Sequence, residues 1–148
     1  MTSPGGSRHM IATALDTIHA PPCSKMLGWT PLDAHPEEGW IRIGFDGKPD
    51  FCNPAGLIQG GILAAMLDDT MGPAVFVKTV GRLYTATISM NISFLAPAKI
   101  GPIFGEATVV LLGKTVAFME GKLMNEAGRL LATATANARL VETGRALG

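Results

Sequence analysis

Cysteine is scarce in this chain: Cys23 and Cys52 are its only examples, they form no Cys-x-x-Cys pair, and neither lies near a His-rich tract. A disulfide framework and a zinc centre are therefore without support, no cofactor is called for, and a reducing, cytoplasmic setting is expected. An excess of one charge is missing too. Twelve Lys and Arg balance twelve Asp and Glu, so no broad field points to nucleic acid or an anionic membrane, and small molecules or other subunits become the expected partners. No apolar run crosses a bilayer uninterrupted, because the best candidate, residues 62–77, carries two carboxylates and a Gly-Pro break. No serine sits in a Gly-x-Ser-x-Gly setting, and none of His9, His19 and His35 has a recognisable spacing to Cys52 that would make it a thiol nucleophile. Residues 1–10 are small and polar, lack the apolar centre of a signal peptide, and read as a disordered or vector-derived tail. Residues 11–148 remain as one domain, and the chain's hydrophobic share of 47% is enough for a substantial core.

What is present falls into a simple order of elements. Residues 11–20 suggest a short helix stopped by Pro21-Pro22, with a further turn over 23–27. Residues 40–45 alternate loosely as a strand, and the stretch 47–56, with Pro49, Asn53-Pro54 and Gly56, reads as irregular loop. A long helix should start near Gln59 or Gly60 and reach about Lys78, with Gly72-Pro73 distorting or ending it locally. Residues 85–94 alternate, with Ile88, Met90, Ile92 and Phe94 on one face and Thr87, Ser89, Asn91 and Ser93 on the other. Strands over 103–112, 116–125 and 130–141 follow, separated by turns at Gly113-Lys114 and at 125–128. The expectation is an α+β domain: one long helix wrapped by an antiparallel sheet of about five or six meandering strands.

Inside the apolar helix stands a carboxylate pair, Asp68-Asp69. A helix that is apolar all round is buried, and a carboxylate there needs a partner or a task. The two side chains point about 100° apart, so they cannot share a role. Either Asp68 or Asp69 is a candidate catalytic group, the one not used being left to a structural hydrogen bond or subunit contact. At the helix start, Gly60-Gly61 either let a substrate approach free backbone N–H groups or only permit tight packing on the sheet.

Asn53, five residues, Gln59-Gly60-Gly61, six residues and Asp68 form a pattern that resembles the hotdog-fold acyl-CoA thioesterases of the PaaI-like, phenylacetate-pathway type. The likeness continues through residues 90–99 and 113–118 and covers roughly residues 49–140. One departure is plain: Gln59 stands where the family usually has His, so this position offers an amide donor but no proton exchange near neutral pH.

The resemblance implies hydrolysis of a medium-chain or aromatic acyl-CoA to free acid and CoA. It gives the Gly60 N–H to the oxyanion hole and makes Asp68 either the general base for water or the nucleophile that forms an anhydride. It places Asn53 in the site to orient position 59 or the carbonyl, and Thr87 where a hydroxyl helps hold the water. The bland alternatives are a turn-initiating Asn-Pro and a Thr chosen for strand propensity. Gly61, Lys99, Lys114 and Arg139 are the candidate substrate-binding residues, the three cations for the CoA phosphates. Gly60 and Asp68 are ~12 Å apart along one helix, too far to meet one carbonyl. A homodimer with antiparallel helices, possessing two shared sites, or a homotetramer built from such dimers, resolves this. Competing classes are a hotdog hydratase, which needs a His the helix start lacks, a non-catalytic acyl-CoA binding module, made credible by Gln59, and a DNA-binding regulator, for which no helix-turn-helix is present.

Overall fold

A computed structural model describes Leu15 and residues 19–146; the expected helix over 11–20 falls mostly, and the tail over 1–10 wholly, outside them. The elements run α1 (Pro22–Leu27), β1 (Thr30–His35), β2 (Trp40–Gly47), a 3-10 turn (Pro49–Phe51), α2 (Gly60–Lys78), β3 (Leu83–Phe94), β4 (Gly101–Leu112), β5 (Val116–Asn125), β6 (Leu130–Glu142) and a terminal turn, α3 (Thr143–Ala146). The α+β architecture is as expected, with six strands in one sheet. Two details of residues 28–56 differ. β1 was not foreseen, because Pro31 and the turn-rich composition around it hide a strand; it is a sheet edge, where proline costs no ladder bond. The loop before α2 also contains the 3-10 turn and a Cys52–Ile58 bridge.

The strand order is β1-β2-β4-β5-β6-β3, and every neighbouring pair is antiparallel. The meander therefore holds for β4, β5 and β6 but not for β3, which pairs with β6 at the far edge. Residues 95–100 carry the chain back across, held where Ile58 N–H donates to the Ala98 carbonyl at 2.8 Å and Leu95 N–H to that of Leu131 at 2.8 Å.

α2 lies across this sheet against β2, β3, β4 and β5. Leu63, Met66, Leu67, Thr70, Met71 and residues 74–77 are buried on it, and its apolar length reflects that wrapping. The sheet yields where the helix presses closest. A methyl group on Gly105 would stand 2.5 Å from Thr70 Oγ1, and one on Gly121 2.9 Å from Met71 Cγ, so glycine on β4 and β5 sets the helix–sheet distance.

Pro73 does not end α2. A proline withholds the N–H that the carbonyl four residues earlier would accept. That carbonyl belongs to Asp69, and the Trp29 indole Nε1–H donates to it at 2.9 Å. A side chain from the segment after α1 thus replaces the missing backbone bond, and the helix runs on to Lys78.

Candidate active site

Strict alternation along β3 would turn Thr87 away from the helix, in company with Ser89 and Asn91. The structure corrects this. Thr87 pairs with Ala138, but the next pair is Ser89 with Asn137, so Ile88 is an extra residue in a β-bulge. Cross-strand partners share a face. Thr87, Met90, Ile92 and Phe94 lie opposite Ala138, Ala136, Ala134 and Ala132, all buried. The bulge therefore puts Thr87 on the helix side and pushes Ile88, 61% exposed, outward. Asn137 repairs the ladder: its Oδ1 accepts from Ser89 N–H at 3.1 Å and from the Ser89 hydroxyl at 2.8 Å.

The consequence is a direct contact. The Thr87 hydroxyl donates to Asp68 Oδ1 at 2.7 Å, fixing the carboxylate's orientation while its side chain stays exposed. A carboxylate held this way can take a proton from water or attack an acyl carbon itself. Beside it opens a cavity of about 380 Å³ lined by Asp68, Asp69, Thr87 and aromatic groups including Trp29 and Phe76. Asp69 faces the inside of this cavity. Burial pushes its carboxyl up from 3.8 to about 6; the Ser24 side chain, which hydrogen-bonds to it, pulls the other way, and the neighbouring Asp68 charge adds to the rise. The structural hydrogen bond expected of Asp69 is present, together with cavity exposure that was not expected. Ser24, Trp29, Tyr84 and His19 also line the cavity. Sequence reasoning missed them because they are distant along the chain and carry no motif; the fold alone brings them to α2.

At the other end of α2, Gln59 is the N-cap residue in extended conformation, and its side chain makes no capping bond. The first-turn N–H groups, Gly60 and Gly61 included, are thus left without a side-chain cap. A methyl on Gly60 would stand 3.4 Å from Phe94 Cζ, while nothing lies within 4 Å of one on Gly61. Close packing accounts for the first glycine and not for the second. Asn53 Oδ1 accepts from Ala55 N–H at 2.9 Å and Leu57 N–H at 3.1 Å, which is turn chemistry that shapes the approach to Gln59.

Lys99, Lys114 and Arg139 are all exposed but not together. Lys99 follows β3 near the Gly60 end. Lys114 is in the β4–β5 turn, next to the end of β6, where Leu140 N–H donates to Thr115 O at 2.8 Å. Arg139 pairs with Ala86 and Val116 on the sheet face away from α2, as its neighbour Ala138 faces the helix. Within one chain, then, the structure joins Asp68 to Thr87 and keeps Gly60, Gln59 and Asn53 apart from them. Among the described residues, no group of three or more His, Cys, Asp or Glu is placed to hold a metal.

The family model described as "Thioesterase superfamily" matches residues 55–132, from the loop before α2 into β6. The chain belongs to the thioesterase superfamily. A Halobacterium salinarum protein carrying an inferred esterase name is 35% identical to this thioesterase over 123 residues, 80% of this chain and 78% of that one. Human acyl-coenzyme A thioesterase 13 is 35% identical over 87 residues, covering 57% of this chain and 61% of the human protein, less than two thirds of its length. Among solved structures, a thioesterase-assigned, phenylacetic acid degradation-related protein from Ralstonia eutropha JMP134 superposes with a TM-score of 0.79 at 32% identity, covering 85% of this chain and 95% of that one. The Escherichia coli PaaI protein, at 19% identity and a TM-score of 0.72, covering 79% of this chain and 86% of its own, shares the fold. The hotdog architecture and thioester hydrolysis follow for this thioesterase.

Proposed function

We propose that the chain hydrolyses acyl-CoA thioesters, of medium-chain or aromatic acyl groups, in sites shared between two copies. The observation that carries the reading is the Thr87–Asp68 hydrogen bond of 2.7 Å at the mouth of the cavity. It gives an oriented carboxylate a hydroxyl that can also contact an attacking water. Asp68 acts as general base or as nucleophile, and the developing oxyanion falls on the Gly60 N–H of the other copy, at the positive end of its helix. Gln59 and Asn53 lie beside that N–H, with the Gln59 amide as a neutral donor to the carbonyl. Lys99 of one copy, and Lys114 of the other, meet the CoA phosphates at the rim.

The placement of β3 supports the shared site. It is a sheet edge of 12 residues with its outer ladder unpaired in the single chain, and long open edges invite pairing. Along it, Asp68 stands by Thr87 and Gly60 stands by Phe94. A two-fold axis through the middle of β3, near Met90 and Asn91, lays Thr87 of one copy against Phe94 of its partner. It thereby brings Asp68 of one chain to Gly60 of the other, with the strands ~4.8 Å apart.

The test is thiol release from a panel of aliphatic and aromatic CoA esters, with Asp68→Asn beside wild type. Loss of turnover in the variant, with the fold and dimer intact, is expected; full turnover by Asp68→Asn on every accepted ester refutes the role of Asp68.

A further inference from the structure

The cavity beside Asp68 contains one group that hydrolysis does not require. Asp69 Oδ2 is buried, and no donor among the described residues reaches it. The carboxyl group also interacts with the Ser24 side chain. A buried acceptor without a donor costs free energy that a ligand's donor can recover. The walls around it are largely apolar and aromatic, with Trp29, Phe76 and Tyr84 among them; His19 also lines the space, and no Lys or Arg among the described residues does. Arg42 and Lys122, the cations of the described ion pairs, are engaged with Glu106. Two adjacent carboxylates, with no Lys or Arg among the described lining residues, oppose further negative charge.

We propose that Asp69 determines acyl specificity: the cavity takes acyl groups whose end remote from the thioester carries a hydrogen-bond donor, hydroxyl or ammonium, and rejects those ending in a carboxylate. The inference rests on reading this cavity as the acyl pocket of the thioesterase. Trp29 and Phe76 hold the apolar part of the acyl group, and Asp69 Oδ2 accepts from its terminal donor. Asp69 touches neither the thioester nor the water, so it acts on discrimination between substrates and not on the chemical step.

The experiment measures kcat/KM for thiol release from butyryl, hexanoyl and octanoyl scaffolds, each ending in a hydroxyl, amino, methyl or carboxyl group. At the scaffold length that reaches Asp69, wild type should favour a donor-ended ester over its methyl counterpart by about tenfold or more, with the carboxyl-ended ester slowest. Asp69→Leu should erase the preference while still cleaving the methyl-ended ester. Asp69→Asn keeps the shape and should retain the hydroxyl preference but lose the ammonium one; if the Leu variant does not fold, this change in ratio decides. Equal rates for donor and methyl ends at every length in wild type, or an unchanged ratio in the variants, overturn the proposal and leave the hydrolase reading standing. If no ester releases thiol, the hydrolase reading fails, and equilibrium binding of the same panel decides the selectivity: tighter binding of donor-ended esters supports it, equal binding overturns it.

Discussion

Replacing Asp69 by Asn should change how stability depends on pH, in a direction the structure fixes. The carboxyl titrates near 3.8 ordinarily and at about 6 in the folded chain, chiefly because burial disfavours its charge. Between those values the folded chain holds a proton that the unfolded chain has released. Wild-type stability therefore falls as pH rises through the window from 3.8 to about 6, and the loss is complete above it. Each pH unit across that window is worth ~1.36 kcal/mol, so the loss is at most about 3 kcal/mol. The side chain as a whole is only partly buried, which brings the expected figure to about 1–2 kcal/mol. Asn has no proton to lose, so urea unfolding of both proteins at pH values on either side of the window isolates the effect. The amide's own cost is the same at both pH values and cancels. Asp69→Asn should gain about 1–2 kcal/mol relative to wild type on passing from the acid to the neutral side. A stability difference that stays flat across the window, or moves the other way, refutes the claim that Asp69 is desolvated beside Asp68.

Three further outcomes follow from single contacts. Trp29→Phe keeps the aromatic bulk but strands the Asp69 carbonyl that Pro73 cannot serve, and should cost about 1–3 kcal/mol in chemical denaturation; placing Ala at position 73 in that background should recover much of it. Thr87→Val removes the 2.7 Å bond to Asp68 with little change in shape, and should lower kcat by about tenfold while the melting temperature stays close to wild type. Gln59→His should remain active and gain a titration in its pH–rate profile near ~6.5, absent from wild type.

The order of elements could be read from the sequence because local signals carried it. The apolar run of α2 and the turns at Gly113-Lys114 and around Gly128 place the helix and three of the strands within a residue or two. The pattern Asn53, Gln59-Gly60-Gly61, Asp68 was legible for the same reason, since all of it lies in one continuous segment. What could not be read depends on contacts between distant parts. The Ile88 bulge has no glycine to announce it, yet it decides which face Thr87 occupies. Helix α2 passes through Pro73 with Trp29, far back in the chain, supplying the missing donor. β3 reaches the opposite edge of the sheet because pairing with β6 outweighs the proximity of β4 in sequence. The lining of the cavity by Ser24, Trp29 and Tyr84 has the same origin.

The central claim is that one copy's Gly60 N–H faces the other copy's Asp68, and mixed dimers test it most directly. Gly60→Pro deletes the N–H at the first helical position, where proline is tolerated, and Asp68→Asn removes the carboxylate; each homodimer should be inactive. Pairing the two variants restores one intact site per dimer, so purified heterodimers should release thiol at about half the wild-type dimer's rate. Heterodimers as inactive as both parents, although folded and paired, would contradict it.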